Sequence, residues 1–187
     1  MITVSIANES QLEDIIELFH RIDVHYFAGA APTKSEISDY VRRNLFQPHC
    51  GVRTVIAKEG AKPLGIATFA ILYPAPGMSG QLFMKDLFTV GEARGKGVGK
   101  AIMRFLARHA LKSNCSRFDW TAETDNPKAL EFYDRLGIPR VEEKVYYRLS
   151  KEKLKSFADQ LLGCLVSTLL RSNFTAAAGK SPVLIAL

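Results

Sequence analysis

The stretch that most constrains this chain is Gly91-Glu92-Ala93-Arg94-Gly95-Lys96-Gly97-Val98-Gly99-Lys100, too rich in glycine to be helix throughout. Before it, Leu82 to Val90 is an apolar, β-branched and aromatic run broken only by Lys85 and Asp86, the pattern of a buried strand. After it, Ile102, Met103, Phe105, Leu106 and Leu111 recur at helical spacing from Lys100 onward. The glycines therefore sit at a strand-to-helix junction. Such a junction offers unpaired backbone N–H groups and the positive end of a helix dipole, and glycine lets a ligand come close to the main chain. The ligand it suits is an anion.

Spacing narrows the anion. A Walker loop needs Gly-x4-Gly-Lys-Ser/Thr, but counting back from Gly99-Lys100 puts Arg94 at the first glycine and Ala101 at the hydroxyl position. A dinucleotide fingerprint needs a three-residue step between its second and third glycines, whereas Gly95, Gly97 and Gly99 step evenly by two. Arg94-Gly95-Lys96-Gly97-Val98-Gly99 resembles instead the acetyl-coenzyme A loop of the GNAT superfamily of N-acetyltransferases, Arg/Gln-x-x-Gly-x-Gly/Ala. Downstream, Asn126-Pro127-Lys128-Ala129-Leu130-Glu131-Phe132-Tyr133-Asp134-Arg135-Leu136-Gly137 resembles the Asn-x-x-Ala-x-x-Phe-Tyr-x-x-x-Gly segment of the same family. The resemblance covers roughly residues 1 to 155, and around Leu82 to Val90 it is nearest to the diamine acetyltransferases.

The rest of the chain fits one domain with a sizeable core: 187 residues, 47% of them hydrophobic. Much of the formal charge of +6 lies at Arg94, Lys96, Lys100, Arg104 and Arg108, beside the glycines, which suits a phosphate-rich small molecule better than a nucleic-acid stripe. Cys50, Cys115 and Cys164 form neither a disulfide framework nor a zinc pattern, so a reducing cytoplasm is expected. His20, His25, His49 and His109 lack metal spacing, and no metal is expected. No basic-then-apolar segment opens the chain and no apolar run reaches transmembrane length, so no membrane partner is expected either.

In chain order, Ile2 to Ile6 alternates as a strand. Gln11 to Tyr26 carries Leu12, Ile15, Ile16, Leu18, Phe19 and Ile22 at helical spacing behind Ser10 as N-cap. Thr33-Lys34-Ser35-Glu36 is a capping box opening a second helix to about Phe46, with Ile37, Tyr40, Val41 and Leu45 inward. Val52 to Lys58 and Leu64 to Leu72 read as a hairpin. Tyr73 to Gly80 reads as a loop that either lines a cleft or merely connects. Arg117 to Ala122 is a further strand, Ala129 to Arg135 a short helix, and Val145 to Leu149 a strand closing the sheet. The order β-α-α-β-β-β-α-β-α-β gives an α/β fold, a mixed sheet with helices on both faces, in agreement with the fold that the resemblance implies.

The resemblance also implies a site. Acetyl-coenzyme A would lie where the central strands splay, with the backbone of Leu87, Phe88, Thr89 and Val90 pairing with the pantetheine amides and an N–H around Phe88 holding the developing oxyanion. The pyrophosphate would take N–H groups from Arg94, Gly95, Lys96, Gly97, Val98 and Gly99, with Lys100 assisting. Asn126 would bond the pantetheine, or else cap the helix that Pro127 begins. Tyr133 matches the general acid that protonates the departing thiolate, and its alternative role is packing. An acceptor ammonium must lose a proton before it attacks, and Asp86 and Glu123, at strand positions near the cleft, are carboxylates able to assist. In the diamine acetyltransferases an acidic residue falls where Lys85 stands, a departure that argues against a polyamine. Cys115 lies outside the matched segments, so direct transfer in a ternary complex is expected.

The expected function is acetyl transfer to a small amine or a protein amino group; the alternative is a non-catalytic acyl-coenzyme A binding or regulatory module on the same fold. His25, Tyr26 and Tyr40 are candidate acceptor contacts. Residues 156 to 187 lie beyond the resemblance. There a helix from Ser150 through about Arg171, with Leu154, Phe157, Leu161, Leu162, Leu165 and Leu169 on one stripe, would pack on its own domain or on a second subunit, a homodimer being the favoured reading and a frayed, dispensable tail the alternative, and Ser181 to Leu187 is a short apolar end.

Overall fold

The computed structural model describes residues 1–159. The chain divides into two compact units, the first Met1–Ile138 and the second beginning at Pro139. The first is built on a five-stranded sheet in the order β1-β2-β3-β4-β5. Its strands are β1 (Ile2–Ile6), β2 (Val52–Glu59), β3 (Lys62–Ala75), β4 (Ser79–Thr89) and β5 (Cys115–Trp120), and its helices are α1 (Leu12–Phe27), α2 (Lys34–Asn44), α3 (Val98–Lys112) and α4 (Pro127–Arg135). The first four strands are antiparallel to their neighbours, while β5 runs parallel to β4, an arrangement that requires the α3 crossover.

Local chemistry accounts for the starts of the helices. Asn8, rather than Ser10, forms the first cap: its Oδ1 accepts from the Ser10 N–H at 2.9 Å, and Gln11 reaches back to the Asn8 N–H at 3.4 Å. The capping box expected at Thr33 is present, with Glu36 Oε2 accepting from the Thr33 N–H at 2.8 Å and Thr33 Oγ1 from the Glu36 N–H at 3.3 Å.

Helices cover both faces of the sheet. On β3, Phe69 meets His109 of α3 at 5.2 Å between ring centroids, and a methyl group added at Gly65 would stand 2.9 Å from Val98 Cγ1. Alternation along a strand puts Gly65, Ala67 and Phe69 toward α3, and Leu64, Ile66 and Thr68 toward α1. Val98, Ile102, Met103, Leu106 and Ala110 line the buried stripe of α3, and Leu12, Ile15, Ile16 and Leu18 that of α1. Truncating a fully buried core residue such as Leu106 to alanine is expected to cost about 2–5 kcal/mol.

Several details depart from the sequence reading. Tyr40 points outward, 59% exposed, because Ile37 and Val41 already fill the α2 stripe, and Leu111 is 76% exposed because the α3 stripe turns through Ala110 instead. Tyr73 to Gly80 is mostly strand: β3 and β4 extend to within three residues of each other, with Gly77 and Met78 at positive φ in the turn. That hairpin lies at the start of β4, the opposite end from the glycine turn, so it lines no cleft there. Among the described residues Val145 to Leu149 is not in a strand, and its residues are exposed. Its β-branched and aromatic residues favour a pleated, half-buried surface, a preference that acts only where a partner strand is at hand. Residues 151–159 are helical, with the Leu154 N–H bonded to Ser150 O at 2.7 Å; the continuation to Arg171 and the apolar end lie outside the described residues.

Candidate active site

The sheet opens between β4 and β5. Their parallel pairing runs from Gly80↔Cys115 to Met84↔Trp120 and stops, while β4 continues to Thr89 with β3 alone. Which of its backbone groups face the opening follows from the register. The Val90 N–H donates to Leu64 O at 3.0 Å, and hydrogen-bonded pairs alternate in an antiparallel ladder, so Phe88 and Asp86 point their amides into β3. Leu87 and Thr89 point theirs toward the opening. Consistent with this, Thr89 O accepts from Arg94 Nε at 3.3 Å from outside the ladder. The amide expected to serve at Phe88 is therefore engaged in the sheet, and its immediate neighbours are the free ones.

β4 runs directly into the glycine turn. A short 3-10 turn over Gly91–Ala93 comes first, and its carbonyls hold two of the loop amides: Arg94 N–H to Gly91 O at 3.2 Å and Lys96 N–H to Ala93 O at 3.3 Å. Gly95 and Gly97 then take φ of 77° and 82°, a left-handed conformation that a side chain would strain. The first α3 amide acceptor is Gly97 O, bonded to Ala101, and no side chain caps the helix. The N–H groups of Val98, Gly99 and Lys100 are thus left at the positive end of a 15-residue helix, with the exposed cations of Arg94, Lys96 and Lys100 around them. Six amides were expected to serve an anion, Arg94 through Gly99. The turn itself consumes those of Arg94 and Lys96.

α4 closes the far side. Asn126 caps it, Oδ1 accepting from the Ala129 N–H at 3.2 Å, with Pro127 at the first helical position; of its two sequence-level roles, capping is the one its carbonyl performs. Phe132 packs on the glycine turn, where a methyl group added at Gly99 would lie 3.1 Å from its ring. Tyr133 is half-buried against Trp120, 5.2 Å between ring centroids. Burial pushes its phenol up to about 12, and nearby Tyr26 adds to the shift.

Tyr26 and His25 bring the last turn of α1 to the same place. The His25 ring lies 5.1 Å from Tyr26 and 6.2 Å from Phe88 of β4, so α1 faces the Asp86 and Phe88 side of the strand. Asp86 Oδ2 accepts from the buried Thr68 hydroxyl at 2.5 Å, and Lys85 Nζ stands 3.4 Å from Oδ1. Glu123 is not on a strand: β5 ends at Trp120, and Glu123 is an exposed residue of the following loop whose carbonyl accepts from the Asn126 N–H at 3.1 Å. Tyr40, exposed on α2, is not among the residues these contacts gather.

Two features escaped the sequence reading. Trp120 forms a wall of the opening, and only the register that ends β5 there reveals it. Arg21 of α1 bonds Glu17 at 2.9 Å and Glu92 at 2.8 Å, with Lys34 2.7 Å from Glu17 and Lys62 3.6 Å from Glu92. The Arg21 guanidinium and the backbone around Glu92 hold that carboxyl down at about 2. Among the described residues no group of His, Cys, Asp and Glu is arranged to hold a metal, and no helix is long and apolar enough to cross a membrane.

Comparison with known proteins gives the same architecture. The chain is 38% identical to an integron cassette protein from the mobile metagenome of V. cholerae, with a TM-score of 0.80 over 84% of this chain and 97% of that one. An aminoglycoside N-acetyltransferase solved with coenzyme A shares the fold at a TM-score of 0.63 and 18% identity, over 81% of this chain and 96% of the other. A thialysine N-epsilon-acetyltransferase of Mus musculus is 25% identical over 117 residues, which is 59% of this chain and 68% of the mouse protein. The family model described as the acetyltransferase (GNAT) family matches residues 12–138, nearly the whole of the first compact unit, and the chain belongs to that family of acetyltransferase enzymes.

Proposed function

We propose that this protein transfers the acetyl group of acetyl-coenzyme A to a primary amine by direct attack. One observation carries the proposal: the backbone edge of Leu87 and Thr89 that faces the opening leads into the uncapped N-terminus of α3, with Tyr133 packed on Trp120 at the end of β5. An edge that offers amides and carbonyls suits an amide-bearing arm, as in strand addition, and the helix end suits its diphosphate. Lys100 and Arg94 add charge there.

The residues divide the chemistry. An N–H at the open edge, Leu87 or Thr89, polarises the thioester carbonyl and holds negative charge as the nitrogen–carbon bond forms. The acceptor ammonium sheds its proton to water or to Asp86, the carboxylate on the α1 face. As the carbon–sulfur bond breaks, Tyr133 donates to the sulfur. A phenol near 12 stays protonated at neutral pH, but full transfer of its proton to a thiolate whose thiol ordinarily ionises near about 8.5 runs uphill. Tyr133 therefore acts chiefly as a hydrogen-bond donor to the leaving thiolate. Free Cys50 and buried Cys115 support work in a reducing compartment.

The test pairs binding with turnover. Thiol release from acetyl-coenzyme A is followed with a panel of amines, amino acids, aminoglycosides and peptides, and coenzyme A binding is measured by calorimetry in the wild type and in Gly97→Leu. Space around Gly97 is open, so the added side chain strains only the turn while filling the anion cradle. Release with at least one amine and loss of binding in the variant are expected. Binding without release for any amine would leave the non-catalytic module in its place.

A further inference from the structure

The register of β3 and β4 contains one irregularity beside the opening. Thr68 pairs with Asp86 and Phe69 with Met84, so Lys85 is an extra residue on β4. Met84 shares the α3 face with its partner Phe69. In a regular strand Lys85 would then face α1 and Asp86 would return to the α3 face. The bulge instead sets Asp86 opposite Thr68 on the α1 face and keeps Lys85 beside it. Contacts agree: Asp86 accepts from Thr68 at 2.5 Å, and the Lys85 ammonium stands 3.4 Å from the other carboxylate oxygen. Two opposite charges thus lie side by side, one residue past the last pairing of β4 with β5 and two residues from Phe88, which meets His25.

Both groups are open to a ligand, their side chains being 76% and 39% exposed. An acceptor that brings positive charge and no carboxylate to this place meets the Lys85 ammonium with nothing to offset the repulsion. An amine that carries its own carboxylate presents the complementary pair, its ammonium toward Asp86 and its carboxylate toward Lys85. We propose that the Lys85–Asp86 pair selects carboxylate-bearing amines, amino acids as a class, over diamines and polyamines. This selectivity rests on the acetyl-transfer reading above.

Two matched pairs of acceptors test it, ornithine against 1,4-diaminobutane and lysine against 1,5-diaminopentane, since the members of each pair differ by one carboxylate. In thiol-release assays kcat/KM is expected to favour the amino acid roughly fivefold, the upper end for an exposed ion pair. Lys85→Gln should erase the preference without lowering kcat/KM for the diamine, and Lys85→Glu should reverse it. Undiminished diamine turnover in the Gln variant also shows that the bulge still folds. Equal or better use of the diamines by the wild type, or a preference that survives Lys85→Gln, overturns the proposal. Turnover confined to amines without a carboxylate overturns it too, while leaving acetyl transfer intact. Thiol release with no amine at all removes the acetyl-transfer reading and this selectivity with it.

Discussion

The role proposed for Tyr133 rests on where two rings put it. Packed against Trp120 and Phe132, its phenol loses water, and burial is the larger reason that it holds its proton up to about 12. Replacing it by phenylalanine keeps the packing and removes the donor. We expect Tyr133→Phe to lower kcat by about a hundredfold or more while leaving coenzyme A affinity nearly unchanged, as steady-state kinetics and calorimetry would show. The wild-type rate should also lack any fall below about pH 10 assignable to this phenol, since it ionises above that range. Equal turnover in the two proteins, with chemistry rate-limiting, would remove Tyr133 from the mechanism. Residues such as Tyr133, Gly95 and Gly97 were legible in the sequence because motif spacing fixes them. Tyr40 was misread because a helical stripe one residue too wide admits it, and only the packed α2 shows Ile37 and Val41 filling the face.

Among the elements, the strand-to-helix junction was legible and the bulge was not. Leu82 to Val90 announces a strand and Ile102 to Leu106 a helix, each within its own residues. A bulge exists only relative to a partner strand, and nothing within Met84-Lys85-Asp86 declares it. The same holds for Arg21 and Glu92, separated by 71 residues and joined at 2.8 Å. Their bond ties α1, which carries His25 and Tyr26, to the 3-10 turn whose carbonyls hold the loop amides. Arg21→Gln is accordingly expected to speed hydrogen exchange at the amides of Arg94 and Lys96 and to raise KM for acetyl-coenzyme A, because it also leaves the Glu92 carboxylate with only the more distant Lys62, 3.6 Å away, near the place proposed for the diphosphate. A Glu92→Gln change on the Arg21→Gln background should recover part of that KM. Unchanged exchange in the single variant would show that the turn holds itself. Because Glu92 is held near 2 when folded, its ion pair contributes fully above the ordinary carboxylate range and is lost as pH falls through about 2.

For the molecule as a whole, His109 is an expected source of acid sensitivity. His109 is packed between Phe69, 5.2 Å away, and Phe105, stacked at 6.5 Å, with Arg53 of β2 at 3.5 Å from its Nε2 and Lys112 on its own helix. Burial first, then the two cations, push its ring below the usual histidine range. The unfolded chain therefore binds a proton that the folded one resists, so stability is full above about pH 6.5 and declines as pH falls below it. Urea unfolding at pH 7.5 and 5.5 should show that decline, and His109→Gln should flatten it; an equal slope in the variant would place the sensitivity elsewhere. The site itself has a different standing within the fold. β1 to β4 pair antiparallel in chain order, with α1 and α2 between β1 and β2, whereas β5 joins parallel through the α3 crossover and, among the described residues, pairs with β4 alone. Its pairing stops at Met84, so β4 from Lys85 to Thr89 has no strand beside it on that side. Trp120 and the approach to Tyr133 thus hang on a strand that, among the described residues, is held by one neighbour. A substrate lying along the free edge of β4 would supply the missing neighbour, so the active site would be most firmly built at the moment it is in use.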